Sequence, residues 1–227
     1  MSRLNDLAMK ALFITGIVLL LLSAYPIYLM LVEVIVSEAA YARYEVSRYT
    51  GENYDYRSAE FYGHRIALSD SLVMQSATDN EVKAPVSISI DGKDYSIPSP
   101  IEIHIYNGTK SYRGIALLNL KDRQTGSERL VVIQRVDGEQ FPEDTRYRIL
   151  FVYPDGAVTE EWFSYTERAD PAYRTMLATF VHPEPLGFRS QVLHVWPSIF
   201  YPIIYPWLSC LVGLILSIIG ARSILRR

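Results

Sequence analysis

The sequence predicts a membrane-anchored, β-rich protein, all-β or α+β, in which two transmembrane helices, one near each end, bracket a single extracytoplasmic antiparallel β-sandwich or small barrel. Three observations lead there. Residues 11–32 and 195–221 carry no charge, and about twenty apolar residues cross a hydrocarbon core roughly 30 Å thick at about 1.5 Å of helical rise per residue. Between them, apolar and polar residues alternate with a period of two. That alternation is punctuated by Asp91-Gly92, Asn107-Gly108, Asp137-Gly138 and Pro154-Asp155-Gly156, which supply the turn conformations antiparallel strands need.

Residues 1–10 are read as a cytoplasmic N-terminus and 11–36 as the first span. Arg3 and Lys10 resemble the basic start of a secretory signal, and Ala40-Tyr41-Ala42 a cleavage site. The apolar run is longer than the roughly 7 to 15 residues of a signal's core, so the segment is expected to stay as an anchor. Pro26 lies well inside it, where a proline removes one backbone hydrogen bond, and a kink is expected. The second span covers 199–221, with 222–227 cytoplasmic. Pro197, Pro202 and Pro206 crowd its start, so regular helix is expected from Pro206, after an interfacial lead-in over 198–205. Arg3 and Lys10 precede the first span while Arg222, Arg226 and Arg227 follow the second, which places both termini in the cytoplasm. Trp196, Tyr201, Tyr205 and Trp207 suit the opposite headgroup layer.

Small residues mark where these helices pack. Ser209, Gly213, Ser217 and Ala221 recur every fourth position, and Gly16 and Ser23 lie on nearly one face of the first span. In lipid, such residues let backbones approach closely, so the stripe is expected to meet the other span or another subunit.

Residues 37–84 are read as a tyrosine-rich neck. Helix is expected to continue through about Arg48, setting Tyr41, Tyr44 and Tyr49 close to one face and ending at Gly51. The β-rich domain is assigned to 85–181. Val86, Ile88 and Ile90 lead into the Asp91-Gly92 turn, and Tyr95 and Ile97 return from it. Ile101, Ile103 and Ile105 alternate with polar partners, and strands follow over 112–120, 130–136, 146–153 and 157–165. Residues 171–181 suit a short helix or a last strand equally, and 182–198, with three prolines, is the connector back to the membrane.

Composition narrows the function. Once Asp6, Glu33 and the five basic residues flanking the spans are set aside, the remaining acidic residues outnumber the basic ones, which argues against a nucleic-acid partner. The single cysteine, Cys210, lies in the second span, so no intrachain disulfide forms and no cysteine nucleophile faces a polar cleft. His64, His104, His182 and His194 are scattered, and Met74 and Met176 read as core residues rather than copper ligands. Glu143-Asp144 and Glu160-Glu161 are paired carboxylates in sequence only, because neighbours in a strand point to opposite faces. Asn107-Gly108-Thr109 fits a glycosylation acceptor, but a hairpin turn explains it equally well. Glu33 is the one acidic residue near the outer end of a span, where an ionisable group is a candidate for function.

The expectation is therefore a non-catalytic accessory or structural subunit with no cofactor and no bound metal. Its partners are the lipid bilayer and either another membrane protein or a second copy, engaged through the helices and the outer domain. A ligand- or metal-binding sensor built on His64, His104 and His182 is the alternative, and a membrane-anchored enzyme the weaker one.

Overall fold

The computed structural model describes residues 2–49, 58–70, 80–97, 100–106, 109–136, 144–193 and 200–225. Two long apolar helices and two antiparallel sheets account for most of these residues. The chain divides into two compact units, residues 1–37 with 187–227, and residues 38–186.

The first unit holds most of helix α1 (Ser2–Arg43) and all of α3 (Ser209–Leu225). Both are long and apolar enough to cross a membrane. Helix α1 runs through Pro26 without a break. Ahead of α3, Ile203–Leu208 forms a wide helical turn interrupted at Tyr205, whose φ of −120° and ψ of 128° are extended. The residue before a proline is pushed out of the helical region by the proline ring, and Tyr205 precedes Pro206.

The second unit contains β1 (Tyr44–Arg48), β2 (Ser58–Phe61), β3 (His64–Asp70), β4 (Asn80–Ile90), β5 (Lys93–Asp94), β6 (Pro100–Tyr106), β7 (Thr109–Arg113), β8 (Ile115–Asp122), β9 (Glu128–Val136), β10 (Arg146–Val152), β11 (Val158–Ser164) and helix α2 (Tyr173–Ala178). One sheet has the order β1-β8-β9-β10-β11, the other β2-β3-β4-β6-β7 with β5 beside β4. Residues 80–85 of β4 pair with β6 and residues 86–90 with β3. Pro85, which has no N–H to give a ladder, stands where one pairing hands over to the other.

A single apolar cluster draws on both sheets, with Ile66, Ile88 and Ile103 from one and Leu117, Val132 and Leu150 from the other. The intervening residues of β9 and β10, Val131, Ile133, Tyr147, Ile149 and Phe151, are also buried. Helix α2 covers that outer face, with the Tyr173 ring 5.8 Å from Phe151 and 5.6 Å from Tyr44. Burial on both faces explains why 130–136 and 146–152 read as nearly unbroken apolar runs.

Several expectations change. Helix does not reach Arg48. It ends at Arg43, and Tyr44 starts β1, pairing with Asp122 of β8. The stretch read as a neck therefore supplies β1, β2, β3 and the first half of β4. The strand expected over 112–120 is two strands in different sheets, broken at Gly114, whose φ is +87°. A β-carbon strains that conformation, which makes Gly114 the point where the chain changes sheet. Within 171–181, Tyr173–Ala178 form helix α2. The Asp91-Gly92 turn has both residues at positive φ, 50° and 79°, the type I′ geometry of a two-residue hairpin, although the strand returning from it is only Lys93–Asp94. The turns at 107–108 and 137–138 lie outside the described residues.

Candidate functional site

Helices α1 and α3 pack antiparallel along the small residues. A β-carbon on Gly16 would stand 2.5 Å from Ser217 Oγ and 2.7 Å from Gly213 O, and one on Gly213 would stand 2.9 Å from Gly16 O. Ser23 and Ser209 hydroxyls are 2.9 Å apart. Since Ser209 donates to Pro206 O at 3.0 Å, Ser23 is the donor to Ser209. Ser217 Oγ is buried without a partner.

The fourth stripe residue, Ala221, is half-exposed. Its place is taken by Gly220, where a β-carbon would meet Phe13 Cβ at 2.6 Å. Four residues advance a helix by about 40° beyond a full turn, so three such steps rotate the stripe by about 120°, and stepping by three instead restores the face. The period-four reading thus singled out Ser209, Gly213 and Ser217 and passed over Gly220.

Two polar contacts complete the helix pair. Pro26 cannot donate to the carbonyl four residues before it, and that carbonyl, Leu22 O, accepts the Tyr205 hydroxyl at 2.8 Å. A neighbouring helix re-satisfying a group freed by proline is the arrangement that tolerates proline in lipid. Glu33 is 2 % exposed. Its carboxylate accepts three successive backbone N–H groups, from Phe188, from Arg189 at 2.7 Å and from Ser190 at 3.0 Å. Gly187 fits only without a β-carbon, which would run into Ser190 O. Glu33 therefore ties α1 to the segment returning from the β-rich unit.

The histidines are dispersed. His64 Nδ1 lies 2.7 Å from Asp91 Oδ2 at the start of β3. The Arg65 N–H and this histidine hold the Asp91 carboxyl below its usual range. His182 lies beyond α2 on the outer face of the other sheet, its ring centroid 6.0 Å from Tyr165 and 6.5 Å from Tyr147. Burial lowers its pKa. The His104 side chain, His194, Met74 and Glu143 lie outside the described residues, and Met176 is buried in α2. Among the described residues no group of three or more His, Cys, Asp or Glu could hold a metal.

Glu160 and Glu161 diverge across β11. Glu160 accepts from Arg148 Nε at 2.9 Å and Trp162 Nε1 at 2.6 Å, and the arginine holds its carboxyl below the usual range. Glu161 accepts from Arg174 Nε at 2.5 Å and the Tyr173 hydroxyl at 2.8 Å.

Sequence reasoning missed one cluster. Tyr147, Arg135, Tyr165, Arg168 and His182 meet on the outer face of β9 and β10, and the Tyr147 hydroxyl is buried there with no partner. These residues come from separate segments with no motif spacing, so no local signal could have joined them. No protein family, curated protein or solved structure matches the chain, and its function has to be read from this geometry.

Proposed function

We propose that the chain is a two-pass integral membrane protein of the cytoplasmic membrane, with both termini in the cytoplasm. Its two sheets form a sandwich displayed outside the cytoplasm, which serves as a non-catalytic subunit engaging other proteins. The observation that carries this reading is the α1–α3 hairpin, whose polar and small groups turn inward while large apolar residues turn outward. Leu21 is 69 % exposed and Ile35 67 %, with Leu211, Leu214 and Ile218 also open. Such faces are stable against lipid and costly against water.

The antiparallel register sets Lys10 and Arg222 at one end of the hairpin. The chain leaves this unit after Ser37 and re-enters at Gly187 near the other end, in keeping with the positive-inside rule. Cleavage near Ala42 would strip Gly16 and Ser23 from the face of α3, which favours a retained anchor. The stripe offered by the sequence as a partner surface faces the chain's own helix, so contact with other proteins falls to the sandwich. The edge strand β11 presents Trp162, 46 % exposed.

The test is single-cysteine labelling in a Cys210→Ser background. Thr125→Cys should react with a membrane-impermeant maleimide in spheroplasts, and Ser2→Cys only after lysis. The reverse pattern, or labelling of both in spheroplasts, would overturn the topology. Mild-detergent purification should bring down a defined companion, and a solitary monomer would remove the subunit role. A ligand-binding sensor is the second reading, favoured by the unpartnered Tyr147 hydroxyl.

A further inference from the structure

We propose that the face formed by Tyr147, Arg135, Arg168 and His182 is a binding site for a small oxyanion, the carboxylate or phosphate group of a soluble ligand. The inference rests on the sensor reading and is independent of the membrane topology. Tyr147 is fully buried in β10, and its hydroxyl has no hydrogen-bond partner. A buried hydroxyl is costly to leave without a partner, so an acceptor reaching it gains a donor that is already desolvated.

The charge around it is positive. Arg135 is the cross-strand neighbour of Tyr147 in the β9–β10 ladder. Arg168 is nine-tenths buried, donates to Tyr165 O at 2.7 Å and lies 4.0 Å over the Tyr165 ring. Both guanidinium groups act electrostatically on Tyr147 and on His182. Guanidinium donors beside a phenol O–H are the groups that recognise oxyanions by charge-assisted hydrogen bonds.

The titratable groups keep the roles this needs. Burial pushes the Tyr147 phenol well above its ordinary range, so it stays a donor. Burial also keeps His182 below its ordinary value and neutral at pH 7. His182 Nδ1 lies 3.0 Å from Glu184 O and 3.2 Å from the Glu184 N–H; donating to the nearer carbonyl keeps the proton on Nδ1, so His182 lines the face while Tyr147 and the two arginines supply its donors. Arg135, Tyr165 and His182 are only half-buried, which leaves the face open to solute.

Titration calorimetry on the full-length chain in nonionic detergent, with inorganic phosphate and separately with acetate at constant ionic strength, tests this. Saturable binding of at least one probe is expected, and which of the two binds distinguishes a phosphate from a carboxylate ligand. Arg135→Gln should weaken it about tenfold or more, and Tyr147→Phe severalfold while leaving the thermal midpoint unchanged or higher. Arg65→Gln, on the other sheet, should leave affinity unchanged. No saturable binding of either probe, or binding indifferent to both Arg135→Gln and Tyr147→Phe, would overturn the proposal while leaving the hairpin topology standing.

Discussion

Pro26 frees the Leu22 carbonyl, and Tyr205 supplies the hydroxyl that occupies it. In the bilayer of the proposed reading, which holds no water, that bond has no replacement. Tyr205→Phe should therefore lower the thermal midpoint in detergent, by an amount corresponding to about 1–2 kcal/mol. Pro26→Ala restores an N–H to the helix, and in that background Tyr205→Phe should cost much less. A double-mutant cycle reads the coupling directly, and equal costs in both backgrounds would show that the hydroxyl does not serve the carbonyl. His182 gives a second residue-level expectation. Its folded pKa lies below the ordinary 6.5, so above that pH it is neutral folded or unfolded and contributes no pH dependence. As pH falls below 6.5, the unfolded chain takes up a proton that the folded chain resists, and stability drops until the folded pKa is passed. Glu160, held low chiefly by Arg148, adds its loss further down, below the ordinary carboxylate value of 4.5. Denaturant midpoints should therefore decline between pH 7 and pH 5 in the native chain and decline less in His182→Gln.

Helix pairing rests on shape more than on hydrogen bonds along most of its length. Gly16 admits the backbone of α3 at Gly213 and Ser217, so Gly16→Leu should separate the helices and abolish crosslinking between cysteines placed at positions 23 and 209. Ser217 has a buried hydroxyl with no partner, so Ser217→Ala should leave that crosslink intact and hold or raise stability. A loss with Ser217→Ala would instead make the hydroxyl the adhesive. In the β-rich unit, the turn between β10 and β11 is locked against β3 by a similar close approach. Gly156 has a φ of +82°, and a β-carbon there would stand 2.5 Å from His64 Cε1. Gly126 has a comparable φ of +71° with nothing nearby. Gly156→Ala should therefore cost more than Gly126→Ala, by the cost of turning the His64 ring away from Asp91, and His64→Ala should recover that difference. Equal penalties would leave backbone strain as the whole effect.

The chain as a whole is two units of different physical character. Residues 38–186 enclose their own apolar cluster from both sheets and are covered on one outer face by α2, so their stability does not require lipid. We expect a fragment of 38–186 to be soluble and to unfold in one cooperative thermal transition. Aggregation, or a broad non-cooperative melt, would mean that the sheets depend on the helices. The helix pair is the converse, with large apolar residues facing outward, and under the proposed reading those faces meet a bilayer.

Much of this was open to reading from residue order. The two apolar helices follow from run length, the antiparallel strands from period-two alternation, and the Asp91-Gly92 turn from its dipeptide. All of these are local signals. The boundary between α1 and β1, and the sheet change at Gly114, were hidden because Tyr44–Tyr49 suits helix or strand equally and because alternation runs straight across residue 114. Gly16, Ser23, Ser209, Gly213 and Ser217 lie where the two helices meet and Ala221 is half-exposed, since a four-residue period drifts off a helix face. The Leu22–Tyr205 bond, the capture of Glu33 by residues 188–190 and the meeting of Tyr147, Arg135, Arg168 and His182 were beyond reach. Each joins segments far apart in sequence, and which atoms meet depends on helix rotation and strand register. Residue order constrains these weakly, and packing in three dimensions sets them.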